Sequence, residues 1–219
     1  MRAGQPAVRE PERTMEEEVS LLVEAGRKMG ARNWVPATSG NLSVRREGTP
    51  TRYLISASGG SKSELTTEDF LLFEVGLRRL DERAAKSSAE TAVHDLLYGR
   101  YAPGAILHGH PLYATMVAQR FVAAGQVTVT GWELIKAMGF WGEGDVLTLP
   151  IVPNHGDIPT LAQAVLEASR PDVGAVLVAG HGVYAWGARV SDAMRHMEAV
   201  EYLCQVIWEH LRLDGHWPG

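Results

Sequence analysis

The chain has a single cysteine, Cys204, so no internal disulfide can form, and that residue falls inside a helical pattern as a small apolar side chain. It has no excess of basic charge. Lysine and arginine total 21 against 26 acidic residues, a net charge of -5, which argues against nucleic acid or an anionic membrane surface as the main partner. No apolar run approaches the roughly 18–20 residues of a membrane helix. Met1 to Arg13 is rich in Pro, Arg and Glu and has no apolar core, so it reads as a mobile tail, not a secretory signal. These absences describe a cytoplasmic protein of a reducing compartment. What is present suffices for a proper core: 45% of the 219 residues are hydrophobic.

The most informative stretch is Ala105-Ile106-Leu107-His108-Gly109-His110. On a strand, side chains alternate faces, so His108 and His110 point the same way, with Gly109 leaving room between them. Two imidazoles on one face can take two corners of a metal site. Ala179-Gly180-His181-Gly182 offers a third histidine, and three histidines with one position open form a catalytic zinc geometry.

Around these motifs the chain alternates helical and strand signals. Thr14 and Glu17 form a capping box that opens a helix ending at Gly30. Residues 42–45 and 53–56 read as a hairpin, and 70–75, 105–109, 127–130, 146–152, 173–178 and 183–186 as further strands. Ser87 or Ser88 caps a helix ended by Tyr98-Gly99, and helices cover 160–169 and 191–213. The expected fold is mixed α/β: one sandwich domain over residues 14–219, with a largely antiparallel central sheet and helices on its faces.

Three small-residue segments suit a phosphate, because small residues let backbone N–H groups approach an anion. They are Thr38-Ser39-Gly40-Asn41, the loop Ser58-Gly59-Gly60-Ser61-Lys62, and Ser88 at a helix start. Two carboxylates are candidates for proton transfer. Glu90 also completes a Ser87-x-x-Glu90 capping box, and Glu133 also suits an ion pair with Lys136 three residues on. His94, His196 and His210 occupy helical positions typical of surface or packing residues.

Taken together, Thr38-Ser39-Gly40-Asn41-Leu42-Ser43, Ser58-x-x-x-Lys62, Ser88-Ala89-Glu90-Thr91, His108-Gly109-His110 and Gly180-His181-Gly182 resemble the class II aldolase and adducin superfamily. The resemblance runs from about Glu16 to about Trp208. Within the superfamily, Gly131-Trp132-Glu133-Leu134-Ile135-Lys136-Ala137 and His181 to Gly187 are most similar to the methylthioribulose-1-phosphate dehydratases of methionine salvage. The chain departs from that pattern at Ala179-Gly180 and at Pro111.

The resemblance implies one Zn²⁺ per subunit on His108, His110 and His181, with other divalent metals also compatible. It implies a phosphate pocket from Thr38, Ser39, Gly40, Asn41, Ser58, Gly59, Lys62 and Ser88, and a homotetramer with active sites at subunit borders. The expected reaction is dehydration of a sugar phosphate, with Glu133 as the main acid/base and Glu90 secondary. The alternatives are retro-aldol cleavage or 4-epimerisation with Glu90 as the acid/base, and a non-catalytic, adducin-like interaction module.

Overall fold

The computed structural model describes residues 14–46 and 48–218; the expected tail, residues 1–13, lies outside the described residues. Helix α1 (Met15–Ala31) opens with the expected reciprocal cap: Glu17 N donates to Thr14 Oγ1 and Thr14 N to Glu17 Oε2. Its Leu22 and Met29 are fully buried.

Among the described residues nine strands follow: β1 (Asn41–Arg46), β2 (Arg52–Ser56), β3 (Phe70–Glu74), β4 (Arg78–Arg79), β5 (Ala105–Gly109), β6 (Gln126–Thr130), β7 (Val146–Val152), β8 (Ala175–Val178) and β9 (Gly182–Gly187). They form one sheet in the order β4-β3-β2-β1-β5-β9-β8-β7-β6. All neighbours are antiparallel except β7 and β8. Those two are joined by helix α4 (Ile158–Ala168), as a parallel pair requires a crossover connection. The remaining helices are α2 (Thr91–Tyr101), α3 (Leu112–Phe121) and α5 (Val190–Asp214).

The sheet is apolar on both faces because its central strands alternate between two buried layers. Leu107, Val183 and Ala185 pack with α1, α3 and α5, whereas Ile106, Tyr184 and Trp186 pack with α2 and α4. This is the expected three-layer arrangement.

Expected helix ends differ at both ends of α2 and at the start of α5. Helix α2 runs through Gly99 to Tyr101, and Ala102 ends it in a left-handed conformation. At its start Glu90 is the N-cap, so the Ser87–Glu90 capping box does not form. Ser88 Oγ instead accepts from Glu90 N at 3.2 Å, which leaves the Glu90 carboxylate free for tertiary contacts. Helix α5 starts at Val190, with Ser191 inside its first turn.

Candidate metal centre and active site

Strand β5 delivers His108 into the centre of the sheet, fully buried. Its Nδ1–H donates to the Val183 carbonyl at 3.0 Å, so the lone pair of the neutral ring sits on Nε2. Its ring stacks on Tyr184, centroids 4.1 Å apart. His110 follows the strand and is anchored by its backbone N–H, which donates to the Trp34 carbonyl at 2.6 Å. His181 sits in the tight turn between β8 and β9, where Gly180 takes φ +63 and His181 N donates to Val178 O. The two strand ends close on each other only because one residue has no side chain: a Cβ on Gly182 would lie 2.1 Å from Gly109 O. As a result one ligand atom from each of His108, His110 and His181 lies within 4.8 Å of the others.

Glu90 joins this cluster from the start of α2. Its Oε1 lies 3.1 Å from His181 Nε2 and its Oε2 3.5 Å from His108 Nε2. Oε2 also accepts from Asn41 Nδ2 at 2.7 Å. Burial opposes ionisation of this carboxyl, but the hydrogen bond from His181, the adjacent His108 and His181 rings and the Asn41 amide outweigh it and hold it well below the usual range. Burial holds His108 near a pKa of about 3 and His110 near about 4, against the attraction of Glu90. A neutral imidazole lone pair therefore faces a carboxylate, an arrangement that calls for a cation between them. His181 Nδ1 is buried without a hydrogen-bond partner among the described residues. His110 and His181 are only half-buried, so the cluster has an open side for a small molecule. The residues fit a divalent metal with one open position.

The three candidate phosphate segments meet beside this cluster. Lys62 is 1% exposed, and its Nζ donates to the carbonyls of Gly60 at 2.7 Å and Thr38 at 3.2 Å, which ties the first two segments together. That uses two of its three donors. Burial pushes its pKa below the usual lysine range, against the attraction of Asp69 and Glu90. The Ala57–Ser87 bridge and the bond from Ser58 N to Lys86 O set the Ser58–Gly59 corner next to Ser88. Ser39 Oγ is buried without a partner among the described residues. Gly40, with φ +77, packs against the His108 carbonyl, 2.7 Å from where its Cβ would be. Asn41 differs from the expectation: its amide faces Glu90 and His94, so its side chain serves the carboxylate.

Glu133 is not brought to the histidines within the protomer. It begins a 3-10 turn (Glu133–Met138) just after β6, the outermost strand. β6 is four strands from β5, roughly 19 Å at the usual strand spacing. The Glu133 side chain is 85% exposed and pairs with Lys136 Nζ at 2.7 Å. The shallow cavity of about 330 Å³ beside it is lined by Trp132, Phe140 and Trp141 and by none of the three histidines.

His94, expected as a surface or packing residue, is fully buried and hydrogen-bonded through both ring nitrogens. Its i, i+4 spacing from Glu90 is the available signal, since it puts both side chains on one helical face. Burial drives its pKa down to about 3, with only partial opposition from Glu90. The unfolded chain protonates this ring near 6.5, so between pH 6.5 and 3 it binds more protons than the folded chain, and stability falls as pH falls. With the unfolded ring already half-protonated at pH 6.5, the metal-free protein is expected to lose roughly 2 kcal/mol between pH 6.5 and 4.5 from His94. Urea unfolding at the two pH values measures this, and equal stabilities would contradict a neutral, buried His94.

A family profile described as "Class II Aldolase and Adducin N-terminal domain" matches residues 20–208. The chain belongs to the class II aldolase and adducin family. Class II aldolase relatives among curated proteins include the methylthioribulose-1-phosphate dehydratase of Geobacillus kaustophilus, 38% identical over 192 residues, which cover 88% of this chain and 90% of the relative. The Bacillus subtilis protein of the same name is 39% identical over 193 residues, covering 88% and 91%. Among solved structures, the L-fuculose-1-phosphate aldolase of Thermus thermophilus superposes with a TM-score of 0.71 at 24% identity, covering 92% of this chain and 97% of that one. This last likeness shows the shared class II aldolase fold. Among the described residues, no helix is long and apolar enough to cross a membrane.

Proposed function

We propose that this chain is a methylthioribulose-1-phosphate dehydratase, a lyase of methionine salvage. It removes water from 5-methylthioribulose 1-phosphate to give 2,3-diketo-5-methylthiopentyl 1-phosphate. The observation that carries this is the 38–39% identity to dehydratases of that name over nearly the full length of both chains. The convergence of His108, His110, His181 and Glu90 supports it, because the reaction needs a polarised carbonyl. Zn²⁺, one per subunit, is the metal we assign, a choice the three-imidazole set shares with Fe²⁺, Mn²⁺ and Co²⁺.

A divalent cation bound by the three histidines supplies Lewis acidity to the substrate carbonyl, which makes the adjacent C–H acidic. Lys62, Ser39 and the backbone of Gly59 hold the phosphate and fix the reacting carbons in register. Ser58 and Ser88 border the same pocket. Glu90, ionised and aimed by Asn41, orients the groups at the metal. Glu133 takes the proton from C3 and delivers it to the hydroxyl leaving C4. One water departs, and the resulting enol becomes the second ketone. Because Glu133 lies far from its own protomer's histidines, we assign it to the site of an adjacent copy in a homotetramer. Exposed Trp141, 72% accessible beside Glu133, gives that face an apolar contact surface. The single buried cysteine accords with a cytoplasmic setting.

The test is turnover of 5-methylthioribulose 1-phosphate by zinc-loaded protein, beside fuculose 1-phosphate, rhamnulose 1-phosphate and ribulose 5-phosphate. The expected result is a diketone from the thio sugar alone. Cleavage or epimerisation of another sugar, with the thio sugar untouched, would overturn the substrate and make Glu90 the acid/base.

A further inference from the structure

Behind Glu90 a line of polar groups runs into the core. Asn41 Nδ2 donates to Glu90 Oε2 at 2.7 Å. Asn41 Oδ1 meets His94 Nε2 at 2.5 Å. His94 Nδ1 meets Ser43 Oγ at 2.7 Å, and Ser43 Oγ meets Tyr98 OH at 2.8 Å. Asn41, Ser43, His94 and Tyr98 are each at most 1% exposed.

The line exists because two periodicities stay in step. Glu90, His94 and Tyr98 are four residues apart at α2, about 6 Å per step along a helix. Asn41 and Ser43 are alternate residues of β1, about 6.6 Å apart along a strand. Helix and strand side chains therefore interleave in one row.

Every bond in the row has a fixed direction. An ionised carboxylate only accepts, so the Asn41 NH₂ must face Glu90 and its carbonyl must face His94. A carbonyl only accepts, so His94 carries its proton on Nε2. The ring is neutral in this dry setting, so Nδ1 accepts from the Ser43 hydroxyl, and Ser43 Oγ in turn accepts from the Tyr98 phenol. A single reversed member would set two acceptors or two donors against each other inside the core, where an unpaired polar group is costly.

We propose that His94 is a positioning residue for the reaction: its Nε2–H locks the Asn41 amide so that the amide N–H holds Glu90 in place at the metal centre. Ser43 and Tyr98 fix the His94 tautomer, and the row ends at Glu90. His94 touches neither substrate nor metal and acts only through Asn41. The kinetic part of this inference rests on the proposed dehydratase activity; the tautomer part does not.

The experiment combines a double-mutant cycle with nitrogen NMR. His94→Phe and Asn41→Leu are each expected to lower kcat about 10- to 100-fold, the range for a lost hydrogen bond to a charged group, with KM near the wild-type value and metal content unchanged. The double variant is expected to be no slower than the slower single one, because both break the same line. His94→Gln, which keeps a donor at the Nε2 position, is expected to recover most of kcat, and His94→Asn, which reaches only Ser43, is not. In labelled wild-type protein the His94 ring proton is expected on Nε2. Losses that multiply in the double variant, equal rates for the Gln and Asn variants, or a ring proton on Nδ1 would each overturn the proposal. A wild type that leaves the thio sugar untouched would instead overturn the dehydratase reading, and the tautomer would still decide for or against the row.

Discussion

Replacing His108 with alanine is expected to abolish stoichiometric metal binding and to lower kcat/KM about a thousandfold or more, since Lewis-acid assistance is worth several kcal/mol. His108 is the most constrained of the three histidines. It is fully buried, its Nδ1 is held by the Val183 carbonyl, and its face is covered by Tyr184. Its removal leaves a hole beside Tyr184, so a loss of stability should accompany the loss of metal. His181→Ala separates the two effects. His181 stands in a turn, half-buried, with Nδ1 bonded to nothing among the described residues. That variant should lose the metal with a smaller drop in thermal midpoint. Metal content by atomic emission and midpoints with and without chelator provide the check. A His108→Ala protein that retains one tightly bound metal per subunit would sink the assignment of the centre.

The candidate metal centre is legible in the sequence because its histidines sit on features with a fixed period. His108 and His110 are two apart at the end of an apolar strand, and His181 has glycine on both sides, as a tight turn requires. The antiparallel sheet is legible for the same reason: alternation and turn residues are local signals. Glu90 is harder to read, because Ser87-x-x-Glu90 spells a helix cap, and whether that carboxylate caps its helix or faces the histidines depends on what lies across β1 and β5. Asn41 looks like a phosphate-turn residue, since asparagine after glycine suits a turn; its engagement by Glu90 and His94 is tertiary. His94 looks like packing, since a buried imidazole and a surface one occupy the same helical position in a linear pattern. The local pairing of Glu133 with Lys136 is legible and is formed. Whether an adjacent copy brings Glu133 to a histidine cluster depends on assembly, which no local pattern encodes.

Complementation between two impaired variants tests the assembly. Glu133→Gln alone is expected to reduce kcat by about 10² to 10⁴, the usual contribution of a general acid/base. His108→Ala alone is expected to be inactive. If Glu133 acts in an adjacent copy, the two defects complement when the variants are unfolded together and reassembled, because a chain with intact histidines can receive Glu133 from a neighbour that lacks His108. In a cyclic tetramer mixed one to one, about a quarter of the sites pair this way, so activity should return to about a quarter of wild type. If Glu133 instead served its own protomer, every site in the mixture would carry one defect and no activity would return. The geometry favours the first outcome. Glu133 leaves the outermost strand, four strands from His108, with its side chain 85% exposed and its carboxylate held by Lys136. A flexible side chain cannot cross that distance within the subunit, whereas an exposed carboxylate beside an exposed tryptophan can meet the open side of a neighbouring site. Full activity in Glu133→Gln would remove it from the reaction and leave Glu90 as the carboxylate that moves the proton.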